Sequence, residues 1–176
     1  MGVADWVYEL GELKRIARSG WWTAKVRQPE TVAEHSWRTA CIAYALALEE
    51  GTDANAAAVA ALFHDAAEAR TLDLHKMAKA YVHSDDKRAA QDQRAASPAK
   101  TRVALDKPIP PEVQRVVKDA DLLEMAASAQ EYLAAGYVEA KTWRDGVKDK
   151  LKTKTARHWY RELCRTKPDA WYKAAK

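Results

Sequence analysis

The stretch from Thr31 to Ala69 limits the possible folds of this chain more than any other feature. Thr31-Val32-Ala33-Glu34 is a capping box, in which threonine and glutamate side chains each satisfy a backbone N–H at a helix start. Apolar residues at Val32, Trp37, Ala40, Cys41, Tyr44, Ala45 and Leu48 follow at helical spacing. Gly51 ends this helix at about Glu50, because glycine accepts the positive φ that a helix stop needs. Asp53 then caps a second helix, through Ala57, Val59, Ala60, Leu62 and Phe63 to about Ala69. Long helices joined by a short loop are the pattern of a helical bundle. The apolar runs Ala40–Leu48 and Ala56–Phe63 are far too short to span a bilayer.

The remainder is consistent with that reading. Residues 5–18 show helical spacing at Trp6, Leu10, Leu13 and Ala17, with Ser19-Gly20 as the stop. Residues 21–30 lack a helical pattern and contain Pro29, which disfavours helix at Gln28. The 70–110 segment is irregular apart from a predicted helix near 86–96. Ser97-Pro98 and Pro108–Pro111 interrupt it. A long helix is expected from Glu112 to Gly136 and a last helical region over 142–165, carrying Trp143, Val147, Leu151, Trp159 and Leu163. No segment reads as a strand. With 176 residues, the chain suits one all-α domain with one core. The N-terminus lacks a basic flank with an apolar stretch, and two isolated cysteines make no disulfide framework. A reducing cytoplasm is the expected location.

Charge is unevenly placed. From Lys141 to Lys176 there are 12 Lys or Arg against 4 Asp or Glu, although the whole chain is only +4. Such a tail can attract nucleic acid or an anionic substrate. A solvated amphipathic helix explains it more simply and makes nucleic acid the lesser expectation.

Chemistry concentrates at His35, His64, Asp65 and Asp121. His64 and Asp65 directly follow an apolar helical run, where unpaired burial would be costly. One divalent cation would satisfy both, and mixed imidazole and carboxylate donors suit Mn, Fe, Co, Ni or Zn. Neighbouring helical residues point about 100° apart. His64 and Asp65 can therefore flank an ion but not enclose it, and other helices must complete the site. His35 lies just after the capping box. On the 112–136 helix, spacing does not choose between Asp119 and Asp121, which flank the stripe Val113, Val116, Val117, Ala120 and Leu123.

Three ordered motifs carry a resemblance. Arg18–Arg38, with Gly20-Trp21 and Pro29-Glu-Thr-Val-Ala-Glu-His35, resembles the start of HD-domain 5′-nucleotidases of the YfbR-like group. Leu62-Phe-His64-Asp65-Ala-Ala-Glu68 is similar to their His-Asp-x-x-Glu helix, and Lys118-Asp-Ala-Asp121 to their Lys-x-x-Asp helix. The resemblance spans about residues 10–160. It implies a single-domain HD-type helical bundle and a homodimer acting on a nucleotide. By the same resemblance, His35, His64, Asp65 and Asp121 would hold one divalent transition metal. Glu68 would position or activate water, Trp21 would pack on the nucleoside, Asp73 would contact the sugar and Lys118 would reach phosphate.

The chain also departs from the pattern. Leu72-Asp73-Leu74-His75 stands where relatives carry Gly-Asp, often followed by Pro, and Gly20 stands where the YfbR type has Arg. Both changes bear on substrate choice.

The implied reaction is phosphate-ester hydrolysis. A metal lowers the pKa of its water, a carboxylate holds or deprotonates it, and Lys118, Lys76 or Lys79 offsets phosphate charge. A 5′-nucleotidase acting on (deoxy)nucleoside monophosphates is the leading expectation. A deoxynucleoside triphosphate triphosphohydrolase of the DatZ type is the alternative, and the lysines near the site favour it somewhat. A non-catalytic module binding single strands through the basic region and Trp143, Trp159 and Trp171 is the third. His75 and His83 match no second-metal spacing.

Overall fold

The structure, a computed structural model, describes residues 2–175. Among these, regular structure is entirely helical, and the one β-type pairing is an isolated antiparallel bridge between Ala17 and Thr31. The core is built by α2 (Val32–Glu49), α3 (Ala54–Phe63), α7 (Pro111–Ala134) and α9 (Lys154–Arg165). Around it lie α1 (Val3–Glu12), α4 (Glu68–Thr71), α5 (Asp86–Ala96), α6 (Ala99–Leu105), α8 (Ala140–Asp145) and α10 (Ala170–Lys173). None of these helices is long and apolar enough to cross a membrane.

The expected start and stop signals operate. The Thr31 hydroxyl accepts from Glu34 N–H at 3.2 Å, and the Glu34 carboxylate accepts from Thr31 N–H at 2.7 Å. Asp53 caps α3 by accepting from Ala56 N–H at 2.9 Å. Gly51 adopts φ +67°.

Several expectations need correction. The first helix ends at Glu12, not near residue 18. The chain is instead drawn into the bridge, where Val32 N–H donates to Ile16 and Arg18 N–H donates to Glu30. Ser19–Ala24 then forms a 3₁₀ turn within the segment expected to be non-helical. The second helix of the pair stops at Phe63, so His64 and Asp65 stand in the turn after it. An unexpected short helix, α6, follows Pro98.

The buried face of α2 is also rotated from the one its large residues mark. Val32, His35, Ser36, Thr39, Ala43, Leu46 and Ala47 are buried, whereas Trp37, Cys41, Tyr44 and Leu48 are exposed. Ala43 and Ala47 join Ala54, Ala57 and Ala61 of α3 in the main core, where small side chains let the helices approach closely.

The choice on α7 is resolved by burial. Asp119 is fully buried, and its carboxylate accepts from Lys152 N–H at 2.9 Å and Thr153 N–H at 2.7 Å, tying the start of α9 to α7. Leaving those donors unmet would cost about 1–3 kcal/mol each. Asp121, about 200° further round the helix, faces His35. In the basic C-terminal region, Ala156 and Tyr160 enter the main core with Trp159 and Leu163 packed against it. Trp143 packs on Trp21, and of the three tryptophans considered for nucleic acid Trp171 stays highly exposed. This is the solvated amphipathic arrangement.

Candidate metal and substrate site

His35 enters the core on the first turn of α2 and is fully buried. Its Nδ1 lies 2.6 Å from the Glu124 carboxylate, an obligate acceptor when ionised, so Nδ1 carries a proton. Its Nε2 is 3.3 Å from His64 Nε2, 3.3 Å from Asp121 Oδ1 and 3.7 Å from Asp65 Oδ2. His64 Nδ1 donates to the Ala61 carbonyl at 2.6 Å, which leaves Nε2 facing the same point. Asp65 Oδ2 is 3.1 Å from His64 Nε2.

These separations fit donors that share an ion. Ligand atoms each about 2.1 Å from one metal stand about 3.0–3.4 Å apart in octahedral or tetrahedral arrangements. Donor atoms of His35, His64 and Asp121 all lie within 4.8 Å of one another. Asp65 reaches both histidines, but it also accepts from Arg18 Nη1 at 2.8 Å. Neither His75 nor His83 belongs to any such group among the described residues.

The cluster is electrostatically loaded. Burial opposes a charge on His35, yet hydrogen bonds to Asp121 and Glu124 overcome it and hold the imidazole up at about 9. His64 is likewise raised, with Asp65 outweighing burial. Burial works against ionised Asp65 and Glu124, but their histidine and arginine partners pull both down to about 2. Glu68 moves the other way. Burial, then the charges of Asp65 and Asp73, push it up to about 8. Its Oε2 is buried and has no hydrogen-bond partner among the described residues.

Two cavities touch the cluster and another reaches Arg18, the partner of Asp65. A cavity of about 400 Å³ meets His64 and Asp121 and is walled by Phe63, Val117, Ile109 and Gln93, with Lys118 at its edge. On another side a cavity of about 200 Å³ is lined by Arg18, Trp21, Asp73, Lys76 and Trp143. A third, of about 170 Å³, joins His64, Asp65 and Glu68 to Lys79. The expected substrate groups are therefore divided, with Lys118 in the first cavity and Trp21, Asp73 and Lys76 in the second.

Trp21 is only 3% exposed. Its Nε1 donates to Glu30 at 2.9 Å, and its ring sits edge-on to Tyr132 and against Trp143. It is a core residue that lends one side to the second cavity.

Sequence reading passed over Arg18 and Glu124. Arg18 Nη1 lies 2.8 Å from Asp65 and 3.6 Å from Asp73, which sets a cation two residues before Gly20. Gly20 has no room for a side chain, since a Cβ there would meet the Trp143 ring at 2.8 Å. The available signal for Glu124 was its place one turn after Ala120 on the apolar face of α7.

The other departure falls on strained backbone. Leu72 adopts φ +64° and ψ 160°, a region that is almost exclusively glycine's, while its side chain is 58% exposed. The turn places Asp73 beside Arg18. Leu72→Gly is expected to stabilise the fold by about 1 kcal/mol, because relief of about 1–3 kcal/mol of strain exceeds the extra chain entropy that glycine must lose. Urea unfolding checks this, and a destabilised variant would show that no strain resides there.

The sequence matches the HD domain family over residues 10–163. No match among curated protein sequences was found. Among solved structures, the structural-genomics protein APC5600 is similar, with 40% identity and TM-score 0.83 over 97% of this chain and 98% of that one. The predicted coding region AF1432 from Archaeoglobus fulgidus shares 35% identity at TM-score 0.68, covering 96% and 97% of the two chains. The fold also resembles the cyanophage S-2L HD phosphohydrolase DatZ, bound to dA and one catalytic Zn²⁺ ion. That match has 20% identity and TM-score 0.62 over 90% of this chain and 96% of that one. The family match over most of the chain, in which His35 of α2, His64 of the turn after α3 and Asp121 of α7 bring donor atoms close together, makes this protein a member of the HD-domain family.

Proposed function

We propose that this protein is a metal-dependent phosphohydrolase that removes the 5′-phosphate from (deoxy)nucleoside monophosphates. The observation that carries the reading is the convergence of donor atoms from His35, His64 and Asp121, with His64 and Glu68 lining one cavity. His35, His64 and Asp121 would hold the metal, and Asp65 would complete the set by turning from Arg18. When bound, a divalent transition metal supplies Lewis acidity, drawing charge from a phosphoryl oxygen and making water a better nucleophile near neutral pH.

The chain's own groups do the rest. Glu68 Oε2 has no hydrogen-bond partner among the described residues, and a carboxyl raised to about 8 lies in the range for proton transfer near neutral pH, so its ionised form would accept a water proton. Arg18, released from Asp65, would face the phosphate. Asp73, Lys76 and one side of Trp21 would hold the sugar and base in the second cavity. Phosphoryl transfer depends mainly on such positioning and charge.

Triphosphate hydrolysis is the second reading. Lys118 and Lys79 stand at two further cavities that also touch His64, which gives a longer phosphate chain cationic places to lie. The DatZ likeness is consistent with it. Homodimerisation belongs to the proposal as well, since α2 leaves Trp37, Tyr44 and Leu48 uncovered along one side.

A panel of nucleoside mono-, di- and triphosphates with Mn²⁺, Co²⁺ or Zn²⁺ tests the reading. Orthophosphate release from monophosphates is expected. Triphosphate release would establish the alternative, and hydrolysis of nothing in the panel would refute both. Sedimentation of the same preparation reads the oligomer.

A further inference from the structure

Glu124 is a fully buried carboxylate on α7, one turn after Asp121, and the mechanism above gives it no step. Both of its oxygens are committed. One accepts from His35 Nδ1 at 2.6 Å. The other accepts from Arg38 Nε at 3.0 Å, Arg38 Nη2 at 2.8 Å and Ser128 Oγ at 3.0 Å. Arg38 is one turn after His35 on α2, and Ser128 is one turn after Glu124 on α7. A forked guanidinium thus fixes the carboxylate, and the carboxylate fixes the imidazole.

The consequence lies on the opposite side of the ring. A neutral imidazole that keeps its proton on Nδ1 has the Nε2 lone pair left for a cation, and here Nε2 is the atom 3.3 Å from both His64 Nε2 and Asp121 Oδ1. Among the described residues, His35 Nδ1 has no other hydrogen-bond partner that could impose this orientation. A carboxylate behind a ligating histidine sets its tautomer and raises its basicity, and losing such a group typically weakens metal binding about 10–100-fold.

We infer that Glu124, held by Arg38 and Ser128, is a positioning residue that locks His35 in the Nδ1–H form and so aims Nε2 at a shared cation. The inference rests on the metal site proposed above. An alternative without it is that the Arg38–Glu124 pair only clamps α2 to α7. That clamp would cost stability when cut but leave metal affinity unchanged.

Zn²⁺ affinity, measured by competition with a chelating dye, separates these possibilities. In folded Glu124→Gln, Zn²⁺ binding is expected to weaken about 10–100-fold, with Glu124→Asp falling between the two. Affinity within about twofold of wild type in folded Glu124→Gln overturns the inference and leaves the metal site standing. Wild-type protein that binds no Zn²⁺ overturns the site itself. Should the variants fail to fold, nitrogen NMR of ¹⁵N-histidine-labelled, Zn²⁺-loaded wild type still decides. His35 protonated on Nδ1 supports the inference, and His35 protonated on Nε2 overturns it.

Discussion

Replacing His64 by alanine is expected to lower phosphate release by at least about 10³-fold and to abolish tight Zn²⁺ or Mn²⁺ binding. His64 stands in the turn after α3 with Nδ1 fixed on the Ala61 carbonyl, so its Nε2 has one direction to face. That direction holds His35, Asp65 and Asp121. Asp121→Ala should behave in the same way. Asp119→Ala gives the contrast, because the Asp119 carboxylate accepts from the backbone N–H groups of Lys152 and Thr153 at the start of α9. It should lose several kcal/mol of stability while any protein that remains folded still binds metal. Metal content by elemental analysis, kcat and urea unfolding on the three variants read the two effects separately. Full activity in metal-reloaded His64→Ala would remove the metal from the reaction.

Those two aspartates also show where sequence reasoning reached its limit. An apolar stripe on α7 fixed which residues enter the core, but Asp119 and Asp121 flank it symmetrically. Only the position of α9 and of His35 tells them apart, and both are long-range facts. The helices around Thr31–Ala69 were legible because capping is local: Thr31, Glu34, Asp53 and Gly51 each act within a few residues. The buried face of α2 was not legible in the same way. Large residues at 37, 44 and 48 marked one side, whereas close packing against α3 selected the side with Ala43 and Ala47. Arg18 escaped notice because α1 ends at Glu12 and the following chain pairs Ala17 with Thr31 in a bridge. Nothing within residues 5–18 announces that bridge. The donor atoms of His35, His64 and Asp121 lie close together, while Asp65 is turned toward Arg18. The groups that hold them, Glu124 and Arg38, needed the tertiary contacts.

Glu68 tests whether the site keeps function at the expense of stability. Its carboxyl is pushed up to about 8 by burial and by the charges of Asp65 and Asp73, against an ordinary 4.5. Between those values the folded protein holds a proton that the unfolded chain has already released. Stability of the metal-free protein should therefore fall as pH rises through this window. The contribution is fully present below about 4.5 and is lost above about 8. Glutamine cannot ionise, so metal-free Glu68→Gln is expected to be more stable than wild type by about 1–3 kcal/mol near pH 9 and closely matched near pH 5. The same change removes the proton acceptor, so kcat with bound metal should drop about 10²–10⁴-fold. A buried carboxylate oxygen without a partner makes sense under this trade, because the free lone pair that weakens the resting fold is the one a reacting water needs. Chelator-treated protein unfolded across the pH range, alongside turnover of the metal-loaded form, reads both halves. A variant that is less stable at high pH yet turns over at the wild-type rate would make Glu68 a structural charge and leave the water without its base.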